Sequence, residues 1–302
     1  MKVVTCMNFN EAMKIKTEAM DDLLSLLLPG KSGHQHKIME AMNYSVMAGG
    51  KRIRPILMYE AFRLCGGEGP VIEKFMAAIE LIHTYSLVHD DLPAMDNDEY
   101  RRGKKTTHAE YGEAMGILTG DALLNYAYET VCRAFTLPGV DVDRVAKAFA
   151  VLSEKAGVYG MVGGQVIDVQ DDEEEMTEEK LKFAYVLKTA ALIEGALMIG
   201  GILAGATEEQ VTKLQLIGRK VGTAYQIQDD ILDVTGTDEV LGKPANSDEK
   251  NKKVTYVTLK GIDAAKEEVK RLVDEAIEIL KTLEPEDEFL ELMLLSMVNR
   301  EK

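Results

Sequence analysis

The chain has 302 residues, 46% of them hydrophobic, and 51 Asp and Glu against 35 Lys and Arg give a formal net charge of -16. That length supports one large core or two ordinary ones. That acidity excludes nucleic acid and an anionic membrane surface as general partners, so an anionic substrate has to be recruited by local cations or metal ions. The cysteines, Cys6, Cys65 and Cys132, are widely spaced and form neither a zinc pattern nor an even disulfide set. They read as thiols of a reducing compartment, and a cytoplasmic location is expected. The stretch from Met1 to Met20 turns amphipathic at once, and no secretory signal is expected.

Taken in order, residues 10–28 carry apolar positions at helical spacing and stop at Pro29-Gly30. A second helix is expected over Ile38 to Met47, followed by Ala48-Gly49-Gly50 and Lys51-Arg52-Ile53-Arg54-Pro55. Pro55 suits the first turn of a helix running to about Leu64. Two glycines, three cations and a helix N-terminus make a candidate pyrophosphate receptor; the plain alternative is a basic surface loop. After a turn over Cys65 to Pro70, residues 71–90 form a long apolar-periodic helix bearing His83 and His89 and ending in Asp90-Asp91.

The stretch from His83 to Gly103, HTYSLVHDDLPAMDNDEYRRG, holds the densest chemistry. Asp90, Asp91 and Asp96, with Asp98 and Glu99 behind them, repel one another unless cations bind them. Asp90 and Asp96 are six apart, which an unbroken helix places on different sides. The Pro93-Ala94 insertion, by distorting the last turn, lets both face one ion. Arg101 and Arg102 then leave the helix, pointing different ways and able to hold separate phosphate groups, and Lys104 to Thr107 continues as a polar loop.

Helical patterns resume over Ala114 to Phe135, break at Pro138-Gly139, and continue from Val142 to Ala156. Gln165 and Asp168 lie i, i+3 on one face, and Asp171 to Glu175 reads as a solvated acidic turn. Thr177 caps a helix carrying Lys188-Thr189 in apolar surroundings, where a lysine should be paired or meet an anion. The run from Ala190 to Ala206 is short for a bilayer span and contains Glu194, so a core helix is expected and stable membrane insertion is not.

Glu208 to Thr235 is a further long helix with Gln226 and the second acid cluster, Asp229-Asp230-Ile231-Leu232-Asp233. Asp229, Asp230 and Asp233 share helical faces at i, i+3 and i, i+4, a spacing that coordinates metal without distortion. Two acid clusters set among apolar neighbours suggest one divalent-metal site built from both, because carboxylates are costly to bury unpaired. The polar stretch 236–253, with Gly242, Pro244 and several lysines, is a candidate lid. Helices over 262–283 and 286–300 close the chain. With no strand alternation and no G-x-G-x-x-G, the expectation is a single all-α domain over residues 1–302.

DDLPAMD followed by RRG, GGKRIRP upstream and QDDILD downstream resemble the trans-prenyltransferases, most closely the bacterial short-chain type. The likeness extends through GDALL, GMVGGQVID, LKTAALI, LGK and the closing VNREK. It implies the isoprenoid synthase type I helical bundle around a central cavity, a homodimer, and small-molecule diphosphates as substrates. It also implies head-to-tail condensation of isopentenyl diphosphate with an allylic diphosphate. By resemblance, Asp90, Asp96 and Asp229 hold magnesium, with Asp91, Asp230 and Asp233 supporting them. Arg101, Lys188 and Lys243 stabilise the departing pyrophosphate, while Lys51, Arg54, His83 and Arg102 position isopentenyl diphosphate. Thr189 and Gln226 match positions near the cation and the leaving group. The lid departs from the family pattern at Asn246 and Val257. Tyr85 and Ser86, five and four residues before Asp90, match the positions that set product length, and a bulky Tyr85 implies a farnesyl product; the alternatives are geranylgeranyl and, remotely, a non-catalytic partner subunit. A terpene cyclase is disfavoured, because its second motif carries Asn and Ser or Thr rather than DDILD.

Overall fold

In the computed structural model, which describes residues 8–169, 176–235 and 254–299, almost every apolar period of the sequence becomes a helix. The chain divides into two units: residues 1–59 with 69–145, and residues 60–68 with 146–302.

In the first unit, α1 (Phe9–Leu27) starts where the Asn8 side chain accepts from the Asn10 amide and stops two residues before Pro29, with Leu28 as its C-cap. It is followed by α2 (His36–Val46) and the first turns of α3 (Ile53–Leu64), with Pro55 inside the opening turn. Then come α4 (Val71–Asp90), β1 (Tyr100–Arg101), β2 (Lys104–Lys105), α5 (Thr107–Tyr111), α6 (Glu113–Cys132), a 3-10 turn (Arg133–Thr136) and the start of α7 (Val142–Ala156). α4 lies along α6 and is apolar on most of its circumference. Phe75, Ile79 and Ile82 are wholly buried, and each such side chain contributes about 1.5–3 kcal/mol by leaving water.

One expected receptor cation belongs to this core. Arg52, at 3% exposure, donates to Asp21 at 2.8 Å, to Glu80 at 2.7 Å and to the Val46 carbonyl at 2.7 Å. The three-cation receptor expected at Gly49 to Pro55 is therefore corrected to Lys51 and Arg54, because Glu80 is buried on α4 and needs a counter-charge.

The second unit contains the rest of α7, then α8 (Met161–Val169), α9 (Glu178–Tyr185), a π turn (Val186–Ala190), α10 (Ala191–Ala204), α11 (Glu208–Thr235), α12 (Tyr256–Lys260), α13 (Ile262–Lys281) and α14 (Phe289–Val298). α11 is its axis, packed along α10 and α13 and touching the π turn, α12 and α14. From Glu178 to Ala204 the helix is long and apolar enough to cross a membrane, but 72% of its most apolar window is buried inside the protein, as a core helix requires. Glu194 inside it is fully buried and neutralised by Lys155 at 2.6 Å and Arg219 at 2.9 Å.

Two features depart from the sequence reading. The Lys104 to Thr107 loop is half of a hairpin, in which Tyr100 pairs with Lys105 and Arg101 with Lys104. Its turn residues, Arg102 and Gly103, have φ of 53° and 74°, the left-handed pair that a two-residue hairpin needs. The second is the π turn, which interrupts an otherwise continuous helix at Lys188-Thr189. Single π turns often mark functional positions.

Candidate active site

The first acid motif sits where α4 ends. The Asp96 amide donates to the Asp90 carbonyl at 2.8 Å, and the amides of Met95 and Asn97 donate to the Leu92 carbonyl at 2.8 and 3.1 Å. Pro93 and Ala94 are pushed out to solvent on this turn, and Asp90 and Asp96 start from backbone groups bonded to each other. The insertion thus closes the six-residue gap that a straight helix leaves open.

Asp91 points inward, with 3% exposure. Its Oδ1 accepts from Arg101 Nε at 2.8 Å and Nη2 at 2.7 Å. Burial pushes the Asp91 carboxyl up and the Arg101 guanidinium pulls against it. The pair fixes Arg101 at the start of the hairpin, so the turn presents Arg102 at a defined place. An Arg102 guanidinium nitrogen donates to the Gly49 carbonyl. Gly50, at φ 147°, has no Cβ, and a Cβ there would meet Arg102 Nη1 at 2.6 Å. The paired glycines of GGKRIRP are thus the seat for the second arginine of RRG, a link invisible in either motif alone.

His83 lies between these cations. Burial, and then the Arg54, Arg102, Arg101 and Arg52 guanidinium groups, hold its imidazole well below the usual histidine range. At neutral pH it offers this pocket a neutral ring with one donor and one acceptor rather than another positive charge. His83, Arg101 and Arg102 line a cavity with Ser45, Thr107 and Lys105. The Ser45 and Thr107 hydroxyls are 2.8 Å apart, and Tyr44 Oη donates to the Lys105 carbonyl at 2.8 Å. Sequence reasoning missed Tyr44, Ser45, Lys105 and Thr107; their only signal was adjacency to the two basic motifs. Lys51 is exposed on the loop before α3, and Arg54 is half-buried in the first turn of α3. A pocket with two guanidiniums, a neutral imidazole and hydroxyls suits a diphosphate, since arginine matches phosphate oxygens two at a time.

In the second unit, Lys188 on the π turn donates to Asp168 on α8 at 2.5 Å, the anion its apolar setting calls for. Its neighbour Thr189, 9% exposed, donates to Gln226 Oε1 on α11 at 2.8 Å. Gln165 occupies α8 one turn before Asp168. On α11, Asp229 is half-buried, whereas Asp230 and Asp233 are each 3% exposed. Asp230 Oδ2 accepts from the Tyr185 hydroxyl at 2.5 Å and from the Tyr256 amide at 2.9 Å. Asp230 therefore anchors the last residue of α9 and the first of α12, a role that sequence spacing cannot reveal because those partners lie 45 and 26 residues away.

Among the described residues no three Asp, Glu, His or Cys side chains converge closely enough to hold an ion by themselves. Asp91 is occupied by Arg101, and Asp230 by Tyr185 and Tyr256. Carboxylates such as Asp90, Asp96 and Asp229 are hard oxygen donors of the kind magnesium takes, and magnesium completes its shell with water and phosphate oxygens rather than an all-protein cage. Tyr85 is 6% exposed, and Ser86 donates to the His83 carbonyl at 2.9 Å. Lys243 and the 236–253 lid lie outside the described residues.

Fold and site together define an all-α protein with a basic pocket beside one aspartate-rich helix end, a second aspartate-rich helix, and a lysine on a π turn paired with Asp168. The polyprenyl synthetase family model matches residues 35–293. The chain is 45% identical over 251 residues to a chloroplastic geranylgeranyl pyrophosphate synthase of Catharanthus roseus, covering 83% of this chain and 70% of that protein. It is 41% identical over 268 residues to a farnesyl diphosphate synthase of Micrococcus luteus, covering 89% and 91%. Among solved structures, a geranyltransferase of Helicobacter pylori in complex with magnesium and isoprenyl diphosphate superposes with a TM-score of 0.81 at 31% identity, over 97% of each chain. The chain belongs to the polyprenyl synthetase family and has the isoprenoid synthase fold. Its activity class is that of a short-chain trans-prenyltransferase.

Proposed function

We propose that this chain condenses isopentenyl diphosphate with dimethylallyl or geranyl diphosphate and releases farnesyl diphosphate as its main product. Magnesium, held by Asp90, Asp96 and Asp229, would supply Lewis-acid charge to the allylic diphosphate. Arg101, Lys188 and Lys243 neutralise the pyrophosphate as the carbon-oxygen bond breaks, at the moment its charge is greatest. Lys51, Arg54, His83 and Arg102 hold the isopentenyl diphosphate with its double bond toward the allylic carbon, so that attack is a positioned encounter rather than a chance one. Proton loss then restores an alkene. Thr189 and Gln226 present polar atoms to the cation and leaving group, and excluding water protects the cation from capture.

In this reading Asp91 and Asp230 are positioning residues, the first acting through Arg101 and the second through Tyr185 and Tyr256, with Asp233 supporting them. Residues 1–302 act as one catalytic domain, in a cytoplasmic homodimer.

The observation that supports farnesyl rather than a longer product is Tyr85. It is a bulky, buried residue, five before Asp90 on the same helix, along which the growing tail extends. Geranylgeranyl is the second reading, favoured by the name of the plant relative; it retains every step and moves the floor deeper. The test is to supply magnesium, isopentenyl diphosphate and, separately, dimethylallyl, geranyl or farnesyl diphosphate, and to size the dephosphorylated alcohols. Farnesol from the two shorter primers, with little conversion of the longest, is expected. Geranylgeraniol from all three would overturn the farnesyl assignment while leaving the chemistry intact.

A further inference from the structure

Tyr85 does not stand alone. On α4 its ring meets the imidazole of His89, one turn further on, edge to face, with centroids 5.8 Å apart and planes at 79°. The imidazole in turn lies on the backbone of α6. Its Nε2 is 3.1 Å from the Ile117 carbonyl and 4.0 Å from an Asp121 carboxylate oxygen. Directly beneath the ring is Gly120, itself buried, where a Cβ would overlap Nε2 and Cδ2 of His89. A side chain of any size at position 120 would evict the imidazole from this seat. The three residues form a chain of contact in which a missing Cβ on α6 admits the ring that backs Tyr85.

We infer that Gly120 and His89 are positioning residues for product length, holding Tyr85 across the path of the growing tail. The inference rests on the reading of Tyr85 as the floor of the tail pocket. Aromatic side chains turn about two dihedral angles, and a tyrosine at a helix surface keeps one rotamer when its neighbours leave no other space. Removal of the imidazole, or its displacement by a methyl group at position 120, frees Tyr85 to swing aside. One further isopentenyl unit can then be accommodated without any change to the diphosphate pockets or to the acid motifs.

The experiment compares product distributions of the wild-type enzyme with those of Tyr85→Ala, Gly120→Ala and His89→Ala, all with geranyl diphosphate as primer and excess isopentenyl diphosphate. The readout is the ratio of geranylgeraniol to farnesol, which a loss of overall fold or rate does not move in one direction. Each of the three substitutions is expected to raise that ratio about tenfold or more, the scale at which an apolar pocket wall discriminates chain length. His89→Ala adds no atoms, so it decides the matter if Gly120→Ala fails to accumulate folded. A shift in Tyr85→Ala with none in the folded Gly120 or His89 variants overturns the brace and leaves the floor. No shift in Tyr85→Ala removes the floor reading and the brace with it.

Discussion

Asp90→Ala and Asp229→Ala are each expected to lower kcat by about two to three orders of magnitude, the scale on which removing one preorganised stabiliser of developing charge acts. The helical fold should be unchanged. Asp90 is the last residue of α4 and Asp229 sits half-buried on α11. Neither substitution opens a cavity in an apolar core. The loss belongs to the step in which negative charge grows on the departing pyrophosphate, so it should appear in kcat far more than in the KM for isopentenyl diphosphate. Steady-state assays over a magnesium titration, with circular dichroism on the same samples, check both halves. Near-normal turnover in either folded variant would remove that residue from the metal site.

Arg52→Ala carries the largest expected cost in stability. The guanidinium is 3% exposed, and its loss takes from Glu80, a carboxylate at 2% exposure, the cation that pairs with it at 2.7 Å, and from the Val46 carbonyl its 2.7 Å donor. Breaking a buried pair from one side costs about 3–5 kcal/mol, which for a unit of this size lowers Tm by about 10 °C. Lys51→Ala, one residue earlier on an exposed position, should leave Tm within a degree or so, as surface substitutions do, and weaken isopentenyl diphosphate binding instead. Differential scanning calorimetry of the two variants separates the two roles. Equal Tm values would mean that Arg52 is not the core counter-ion its contacts describe.

That contrast shows what a sequence can and cannot disclose. GGKRIRP reads as a block of positive charge, but consecutive residues leave the backbone in different directions, and only the fold shows that Arg52 is buried against Glu80 while Lys51 is exposed. Long helices were legible because their apolar period persists for many turns: α4 runs Val71–Asp90, α7 Val142–Ala156 and α11 Glu208–Thr235, as their patterns indicate. The hairpin was not, since two-residue strands are too short to alternate, and its turn glycine follows an arginine rather than the usual Asn or Asp. Nor was the π turn, because one extra residue in a turn hardly disturbs a hydrophobic period.

The aspartates themselves were plain in sequence, and their division of labour was not. Asp90 and Asp91 are adjacent and chemically identical, yet Asp91 is buried and paired with Arg101. Asp230 is likewise buried, accepting from the Tyr185 hydroxyl and the Tyr256 amide. These partners come from other helices, and long-range pairing leaves no local signature. The brace behind Tyr85 belongs to the same category, since GDALL in isolation gives no reason for its glycine.

The measurement that bears most directly on the whole account is pyrophosphate release from geranyl diphosphate, followed with and without isopentenyl diphosphate in the presence of magnesium. The account predicts release that depends on isopentenyl diphosphate and yields one condensed product for each pyrophosphate. Rapid release without isopentenyl diphosphate, or no release at all from a folded protein that binds both substrates, would contradict it.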